Sequence, residues 1–195
     1  KGIVEAYLGG QAVGIAVVNI LYGNVNPSGR LPETFPARLE DTPCYLTYGK
    51  GGDHAVYQEG VFVGYRYYTS VDREVLFPFG YGLSYTEFTY SGLKLDKEKM
   101  TDQDTLTVTV KVKNTGGRRG KEVVQLYVSP FTGETIRPAV ELRGFDKIEL
   151  EPGEEKEVSF TLDKRAFAYW KEEIHDWYVE SGEYQIRIGK NAQDM

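Results

Sequence analysis

The chain has 195 residues, of which 41% are hydrophobic and 27% are charged, as in an ordinary globular protein with one large or two small domains. Its net charge of -6 argues against a nucleic-acid partner, because nucleic-acid binders concentrate Lys and Arg to displace counterions. No apolar run approaches the roughly 20 residues of a membrane-spanning helix, so we expect no membrane partner either.

The first predicted element is an apolar helix near the start of the chain. Residues 11–22 are apolar almost throughout, and Gly23 follows as a natural C-cap. The same run also suits a buried strand, but its length favours a buried helix of about three turns. The next stretch, from Asn24 to Pro36, contains Asn-Pro, Ser-Gly and two more prolines, which predicts a turn and an extended edge segment.

A long aromatic segment follows, from about Ala37 to Tyr90. It lacks a sustained period, yet a structureless loop of this length is uncommon in a compact protein. We therefore predict a linker that is pressed onto neighbouring domains by aromatic anchors, with a short strand at Val61 to Tyr67. The anchors are Tyr57, Phe62, Tyr65, Tyr67, Tyr68, Phe77, Phe79, Tyr81 and Tyr85.

From about Phe88 onward, apolar residues alternate with polar ones, which predicts β-strands. A strand from Leu106 to Val112, a turn at 114–117 and a strand from Val123 to Val128 together predict a hairpin. Further strands are predicted at 142–150, 158–162 and 184–188. Tyr184 suits a tyrosine corner, in which the hydroxyl group bonds back to the main chain, and the whole pattern indicates an antiparallel β-sandwich.

Three motifs give the chain a family resemblance. They are the aromatic, glycine-rich run 76–86, the turn 26–36 with its Asn-Pro-Ser-Gly-Arg-Leu-Pro sequence, and Gly-Tyr-Arg-Tyr-Tyr at 64–68. In order and spacing they closely resemble the carboxyl-terminal part of glycoside hydrolase family 3, the β-glucosidase family. The resemblance implies a mainly β fold in three parts. These are a helix-plus-strand end of an α/β sandwich domain (1–37), an extended aromatic linker (38–87) and a fibronectin type III-like, immunoglobulin-like antiparallel β-sandwich (88–195).

The same resemblance implies where the chemistry lies. In this family the catalytic aspartate belongs to an amino-terminal barrel and the acid/base glutamate to an earlier part of the middle domain, so we expect both upstream of Lys1. No catalytic residue, cofactor or metal ligand is expected here. The implied partners are the upstream barrel and α/β sandwich domains, in the same or a separate chain, with a β-glucoside or oligosaccharide as substrate. A homo-oligomer is compatible with this picture.

Glu59 is the acidic residue that stands out, because it lies among aromatic residues. A carboxyl group in such surroundings can have a raised pKa and act as a general acid. In the alternative interpretation Glu59 pairs with Arg66 or accepts main-chain hydrogen bonds. Arg66 has a planar fork that suits a carboxylate or several carbonyl groups. We therefore predict that Tyr57, Glu59 and Arg66 either rim a pocket or anchor the linker.

Trp170 and Trp177 are candidates for stacking against sugar rings. They flank a polar stretch from Lys171 to Asp176 that is predicted as an exposed loop. Alternatively, both rings pack in the sandwich, since large aromatic side chains are mostly buried. Two functions follow: a structural part of a β-glycosidase, or a carbohydrate-binding or adhesion module. Burial of both rings favours the first, and an exposed coplanar pair favours the second.

Overall fold

The computed structural model describes residues 2–195. The first part of the chain contains helix α1 (Val13–Leu21), a two-residue strand β1 (Phe35–Pro36) and a 3-10 helix (Leu39–Asp41). Helix α2 (Tyr65–Ser70) and strand β2 (Val75–Phe77) follow, and β2 pairs antiparallel with β1. None of the helices among the described residues is long and apolar enough to cross a membrane.

The predicted helix near the start is confirmed, but its predicted burial is not. Within residues 2–195 no side chain of α1 is buried, and Ile15 is 71% exposed. The Tyr85 hydroxyl group, which donates to the main-chain oxygen of Ile20 at 2.8 Å, links α1 to the rest of the chain. An apolar helix that lies at the surface of this chain therefore presents an uncovered face.

The strand predicted at Val61 to Tyr67 is wrong, because residues 61–64 form a turn and an irregular segment and helix α2 begins at Tyr65. Gly64 has a positive φ of 58°, which turns the chain, and its main-chain oxygen accepts a hydrogen bond from the Tyr67 amide at 3.0 Å. Helix α2 then places Tyr65 and Tyr68, three residues apart, on the same face of the helix. A positive φ suits glycine best, so this turn depends on Gly64.

The second part of the chain is an antiparallel β-sandwich, as predicted. Its main strands are β3 (Phe88–Leu95), β4 (Leu106–Asn114), β5 (Gly120–Pro130), β6 (Glu141–Leu150) and β7 (Glu155–Leu162). After helix α3 (Lys164–Phe167) come a small hairpin of β8 (Tyr169–Lys171) and β9 (Asp176–Tyr178) and the last strand, β10 (Tyr184–Gly189). One sheet has the order β3-β4-β7 and the other β10-β5-β6, so the mainly β fold class is confirmed.

The core lies between these two sheets. Strand β4 alternates as predicted, with its valines pointing inward against those of β5. The largest contributors are fully buried: Val108, Val112, Val124, Leu126 and Leu150. Strand β5 is also buried on its outer face at Gln125, Tyr127 and Ser129, because linker residues cover that face of the sheet. The tyrosine corner is confirmed, since the Tyr184 hydroxyl group donates to the Glu180 main-chain oxygen at 2.7 Å.

The hairpin predicted around residues 114–117 is wrong, because β4 and β5 belong to different sheets. The turn crosses from one sheet to the other, and the fully buried Asn114 side chain holds it in place. Its amide nitrogen donates to the main-chain oxygens of Arg118 at 2.7 Å and Leu150 at 3.1 Å. Its amide oxygen accepts from the Thr86 hydroxyl group at 2.7 Å. The Asn114 side chain therefore supplies hydrogen bonds to main-chain groups of the crossing. In a two-stranded hairpin such main-chain groups would bond directly to each other.

Candidate functional site

Helix α2 is attached to the outer face of the β10-β5-β6 sheet through Tyr65. The Tyr65 ring stacks on Phe79 with ring centroids 4.7 Å apart and meets Tyr127 edge-on at 6.0 Å. Its hydroxyl oxygen accepts a hydrogen bond from the Leu142 amide at 2.8 Å. We call these four residues the α2 contact. It supplies both apolar area and a partner for a main-chain amide of β6.

Gln125 fastens the linker to the same face of the sheet. Its side-chain nitrogen donates to the main-chain oxygens of Gly80 at 3.2 Å and Lys190 at 2.6 Å, and its oxygen accepts from the Tyr127 hydroxyl group at 2.6 Å. Gly80 has a φ of 82°, and a Cβ atom there would lie 2.2 Å from the Gln125 side chain. The close approach thus requires glycine. Burial raises the pKa of the Tyr127 hydroxyl group well above its usual range.

A buried ion pair joins the turn after α1 to the sandwich. Arg30 bonds to the Glu122 carboxylate of β5, and both side chains are almost fully buried. The Tyr90 hydroxyl group donates to the other oxygen of Glu122 at 2.8 Å. Burial, followed by the negative charge of Glu122, raises the pKa of Tyr90 far above its usual range. Tyr90 therefore remains a neutral donor to this carboxylate.

A groove of about 590 Å³ lies between α2, the start of β6 and the β8–β9 hairpin. Glu141 is at its base and is surrounded by three arginines. The Glu141 carboxylate lies 2.7 Å from Arg137 Nη2 and 2.9 Å from Arg143 Nη2, whereas Arg66 Nη2 is 4.0 Å away. Burial lowers the pKa of Arg143, although the negative charge of Glu141 opposes that change. We call the whole groove, with Glu141 and the three arginines at its base, the arginine groove.

The two tryptophans line the arginine groove, but they are not equivalent. Trp170 is 48% exposed and Trp177 is half-buried. Their ring centroids are 5.7 Å apart and the ring planes are inclined by 72°, so the pair is not coplanar. The guanidinium group of Arg165 lies 3.3 Å from the centroid of the Trp177 ring and covers one of its faces. Trp170 is therefore the better placed of the two for contact with a ligand.

The other predicted site residues lie in different places. Tyr57 is 86% exposed and Glu59 is half-buried in the turn region before α2, where its main-chain oxygen accepts from the Phe62 amide at 2.9 Å. Arg66 faces Glu141, and the ion pairs among residues 2–195 do not include the predicted pair of Glu59 with Arg66. The structure thus brings Arg66 together with Trp170 and Trp177 in one groove, without Tyr57 or Glu59.

Sequence reasoning missed most of the charged groups that the structure brings together. Glu122 carried a usable signal, because it has the same parity on β5 as Val124 and Leu126 and so had to point toward the core. A charge at a core position predicts a buried partner. Glu141 and Arg137 carried no such signal, since their positions near a strand start suit solvated residues equally well. Among residues 2–195 there is no cluster of three His, Cys, Asp or Glu that could hold a metal ion.

Comparison with known proteins fits this architecture. Residues 1–65 match the glycosyl hydrolase family 3 C-terminal domain, and residues 122–192 match a fibronectin type III-like domain. The chain belongs to glycoside hydrolase family 3. It is 54% identical over its whole length to "Thermostable beta-glucosidase B" of Acetivibrio thermocellus, of which it covers 26%. It is 45% identical over its whole length to "Exo-alpha-(1->6)-L-arabinopyranosidase" of Bifidobacterium longum, of which it covers 25%.

Solved structures of β-glucosidases share the fold of this chain. The crystal structure of a Bifidobacterium adolescentis family 3 β-glucosidase superposes on 97% of the chain with a TM-score of 0.91 and 44% identity. Thermotoga neapolitana β-glucosidase 3B in complex with glucose superposes on 96% of it, with a TM-score of 0.85 and 40% identity. The chain covers 28% and 26% of these proteins. It therefore spans about a quarter of the length of its relatives.

Proposed function

We propose that the chain is the structural carboxyl-terminal portion of a retaining β-glycosidase. The most fitting activity is that of a β-glucosidase, which removes terminal non-reducing β-D-glucosyl residues. The observation that carries the proposal is the similarity over the whole chain to proteins named as β-glucosidases, of which it forms only about a quarter. The upstream barrel and α/β sandwich domains would then supply the reactive groups, and the chain would stabilise them.

The arrangement of the linker supports a structural role. The α2 contact, the Gln125 hydrogen bonds and the Arg30–Glu122 pair attach three separate stretches of the first 87 residues to one sheet of the sandwich. We propose the division into parts 1–37, 38–87 and 88–195 on this basis. The middle part then serves as a fitted layer on the sandwich, and the uncovered face of α1 contacts the upstream α/β domain.

The proposed parent reaction is a double displacement with retention of anomeric configuration. It needs a carboxylate nucleophile and an acid/base carboxyl group about 5–5.5 Å apart. The Glu141 carboxylate, at the base of the arginine groove, is engaged through Oε2 by Arg137 and Arg143 within 2.9 Å, which is the arrangement of a structural ion pair. Glu59 lies outside the groove. We therefore place both catalytic carboxylates outside the chain.

A reassembly assay tests this proposal. The chain, a polypeptide with the upstream domains, and their mixture are each supplied with a chromogenic aryl β-glucoside, and the full-length protein serves as the positive control. We expect hydrolysis by the full-length protein and the mixture only. Hydrolysis by the purified chain alone that is abolished by Glu59→Gln would show that the chemistry lies here. An upstream polypeptide as active as the full-length protein would remove the structural role.

The alternative function, a carbohydrate-binding or adhesion module, has one observation in its favour. Trp170 is about half exposed in a groove, as a sugar-stacking residue must be. The inclined planes of Trp170 and Trp177 do not provide the flat platform that binds an extended polysaccharide. A binding role, if present, therefore concerns a short ligand in the groove.

A further inference from the structure

We propose that the arginine groove binds a sugar residue that carries a carboxylate group, such as a uronic acid unit. The groove combines a cationic end, formed by Arg66 and Arg143, with the exposed ring of Trp170. These are the two groups that an acidic pyranose needs, since its carboxylate bonds to a guanidinium fork and its apolar ring face packs on an indole. The site is separate from the proposed hydrolytic function.

The base of the groove carries an excess of positive charge. A single carboxylate, Glu141, faces three guanidinium groups, although the chain as a whole has a net charge of -6. The groove is also lined by Lys171, Glu172 and Glu173, so cationic side chains still outnumber anionic ones by one in its lining. A local reversal of sign on an acidic protein favours an anionic ligand there.

Within residues 2–195, the guanidinium group of Arg66 has donors that are not used in hydrogen bonds. Arg137 donates to the Phe167 main-chain oxygen at 2.8 Å and to Glu141 at 2.7 Å, which fixes it as part of the framework. Arg66 Nη2, in contrast, is 4.0 Å from Glu141, beyond hydrogen-bond distance, and its side chain is 36% exposed. The Arg66 guanidinium group therefore keeps donors for a further acceptor.

The size of the groove and the ring of Trp170 indicate which kind of anion fits. The groove volume of about 590 Å³ is in the range of small-ligand sites and suits one or two sugar units. An acidic protein segment would satisfy Arg66 but would leave the Trp170 ring without a flat partner. A uronate occupies both groups at once. We therefore favour the sugar over the peptide.

The test is calorimetric titration of the full-length protein in the presence of saturating glucose, which fills the hydrolytic pocket if the protein is the β-glucosidase proposed above; the use of glucose rests on that proposed function. The probes are methyl β-D-glucuronide, methyl β-D-glucoside and acetate. We expect the glucuronide to bind at least about tenfold more tightly than the other two, since each of those lacks one of the two contacts. Equal binding of the glucoside, or no binding of the glucuronide, would overturn the proposal.

Variants assign the binding to this groove. Trp170→Ala and Arg66→Gln should each weaken glucuronide binding about tenfold, and Arg66→Lys should retain part of it because it keeps the charge. The matched controls are Phe145→Ala on β6 and Arg119→Gln in the crossing turn. Both residues are exposed, and we expect either change to alter the affinity by less than about twofold. Unchanged binding by Trp170→Ala, or tighter binding of an oligoglutamate peptide than of the glucuronide, would refute the sugar site.

Discussion

At the scale of single residues, the charged groups buried against the sandwich specify how the first part of the chain packs on the sheet. Glu122 sits at a core position of β5, where, within residues 2–195, Arg30 and Tyr90 satisfy its oxygens. A carboxylate in such a place is tolerated only with its partners, because desolvation of an unpaired charge costs several kcal/mol. The pair thus specifies how the turn after α1 lies on the sheet.

Removing one partner of this pair should be worse than removing both. We expect Arg30→Met to lower the free energy of unfolding by about 3–5 kcal/mol, because it leaves the Glu122 charge buried without its cation. The double variant Arg30→Met with Glu122→Leu should recover most of that loss. Urea unfolding of these two variants and of the single Glu122→Leu variant gives the interaction free energy between Arg30 and Glu122. If the double variant were as unstable as Arg30→Met, the unpaired Glu122 charge would not be the cause of the lost stability.

The buried tyrosines should make the protein sensitive to alkaline pH. The folded-state pKa values of Tyr90 and Tyr127 are raised far above 10, whereas unfolding returns both groups to ordinary values near 10. The unfolded state therefore loses protons first. The stabilising effect is complete below about pH 10 and is lost as the pH rises above it.

This dependence can be measured by thermal unfolding between pH 8 and 11, values chosen to bracket about pH 10. We expect the unfolding temperature to fall above pH 10 and to fall less steeply in Tyr90→Phe. The exposed Tyr57→Phe serves as the control and should leave the slope unchanged. An identical slope in all three proteins would contradict the assignment.

At the scale of secondary-structure elements, the sequence was informative about strands and poor about connections. Alternation located β4 to β7 and the last strand, and Ser181-Gly182 located the corner that Tyr184 closes. The turn at 114–117 looked like a hairpin, because turn residues show that the chain changes direction but not which sheet it enters. That choice depends on Thr86 and Leu150, which are distant in sequence from Asn114.

The candidate site was less predictable for a similar reason. Arg66, Trp170 and Trp177 were singled out, yet the carboxylate that Arg66 faces, Glu141, lies far along the chain. The aromatic spacing near Arg66 also suggested a strand. The structure has a helix there instead, which follows the positive φ of Gly64, and hydrophobic periodicity does not reveal such a turn. Glu122, in contrast, could have been predicted as buried from the sequence, because it lies on the same face of β5 as Val124 and Leu126.

Asn114 should be the key residue of the sheet-to-sheet crossing. Asn114→Ala leaves the main-chain oxygens of Arg118 and Leu150 without their donor, and we expect a loss of about 2–3 kcal/mol in the free energy of unfolding. Asn24→Ala, at an exposed position with a single side-chain hydrogen bond, should cost less than about 0.5 kcal/mol. Equal effects in urea unfolding would show that the crossing does not depend on this amide.

The α2 contact separates into an apolar part and a polar part. Tyr65→Phe keeps the ring stack but leaves the Leu142 amide without an acceptor, which should cost about 1 kcal/mol. Tyr65→Ala also removes the contacts with Phe79 and Tyr127 and should cost about 3 kcal/mol. Both values come from urea unfolding, with the exposed Tyr57→Ala as control. A loss in the control as large as that in Tyr65→Ala would contradict this account.

At the scale of the whole molecule, stability should be distributed unevenly. The β-strands bury a continuous core, whereas α1 has nine residues and no buried side chain among those described. A helix that short is marginal without packing. The sandwich and the linker fastened to it should therefore behave as one unit and α1 as another.

Hydrogen exchange on the isolated chain can test this distribution. We expect the amides of α1 to exchange at least about a hundredfold faster than those of β4 and β5, and α2 to fall between them. Adding the upstream domains should slow exchange in α1 and leave β4 unchanged, which makes β4 the internal reference. Equal protection of α1 and β5 in the isolated chain would contradict the expectation.

The side chain of Gln125 has a practical consequence for protein engineering. The same amide group contacts Gly80 of the linker and Lys190 near the last residue, and the Ala192 amide donates to the Phe79 main-chain oxygen at 3.0 Å. A substitution or insertion that displaces residues 190–192 should therefore loosen a linker that lies far earlier in the sequence, so this segment is a poor place for engineered changes.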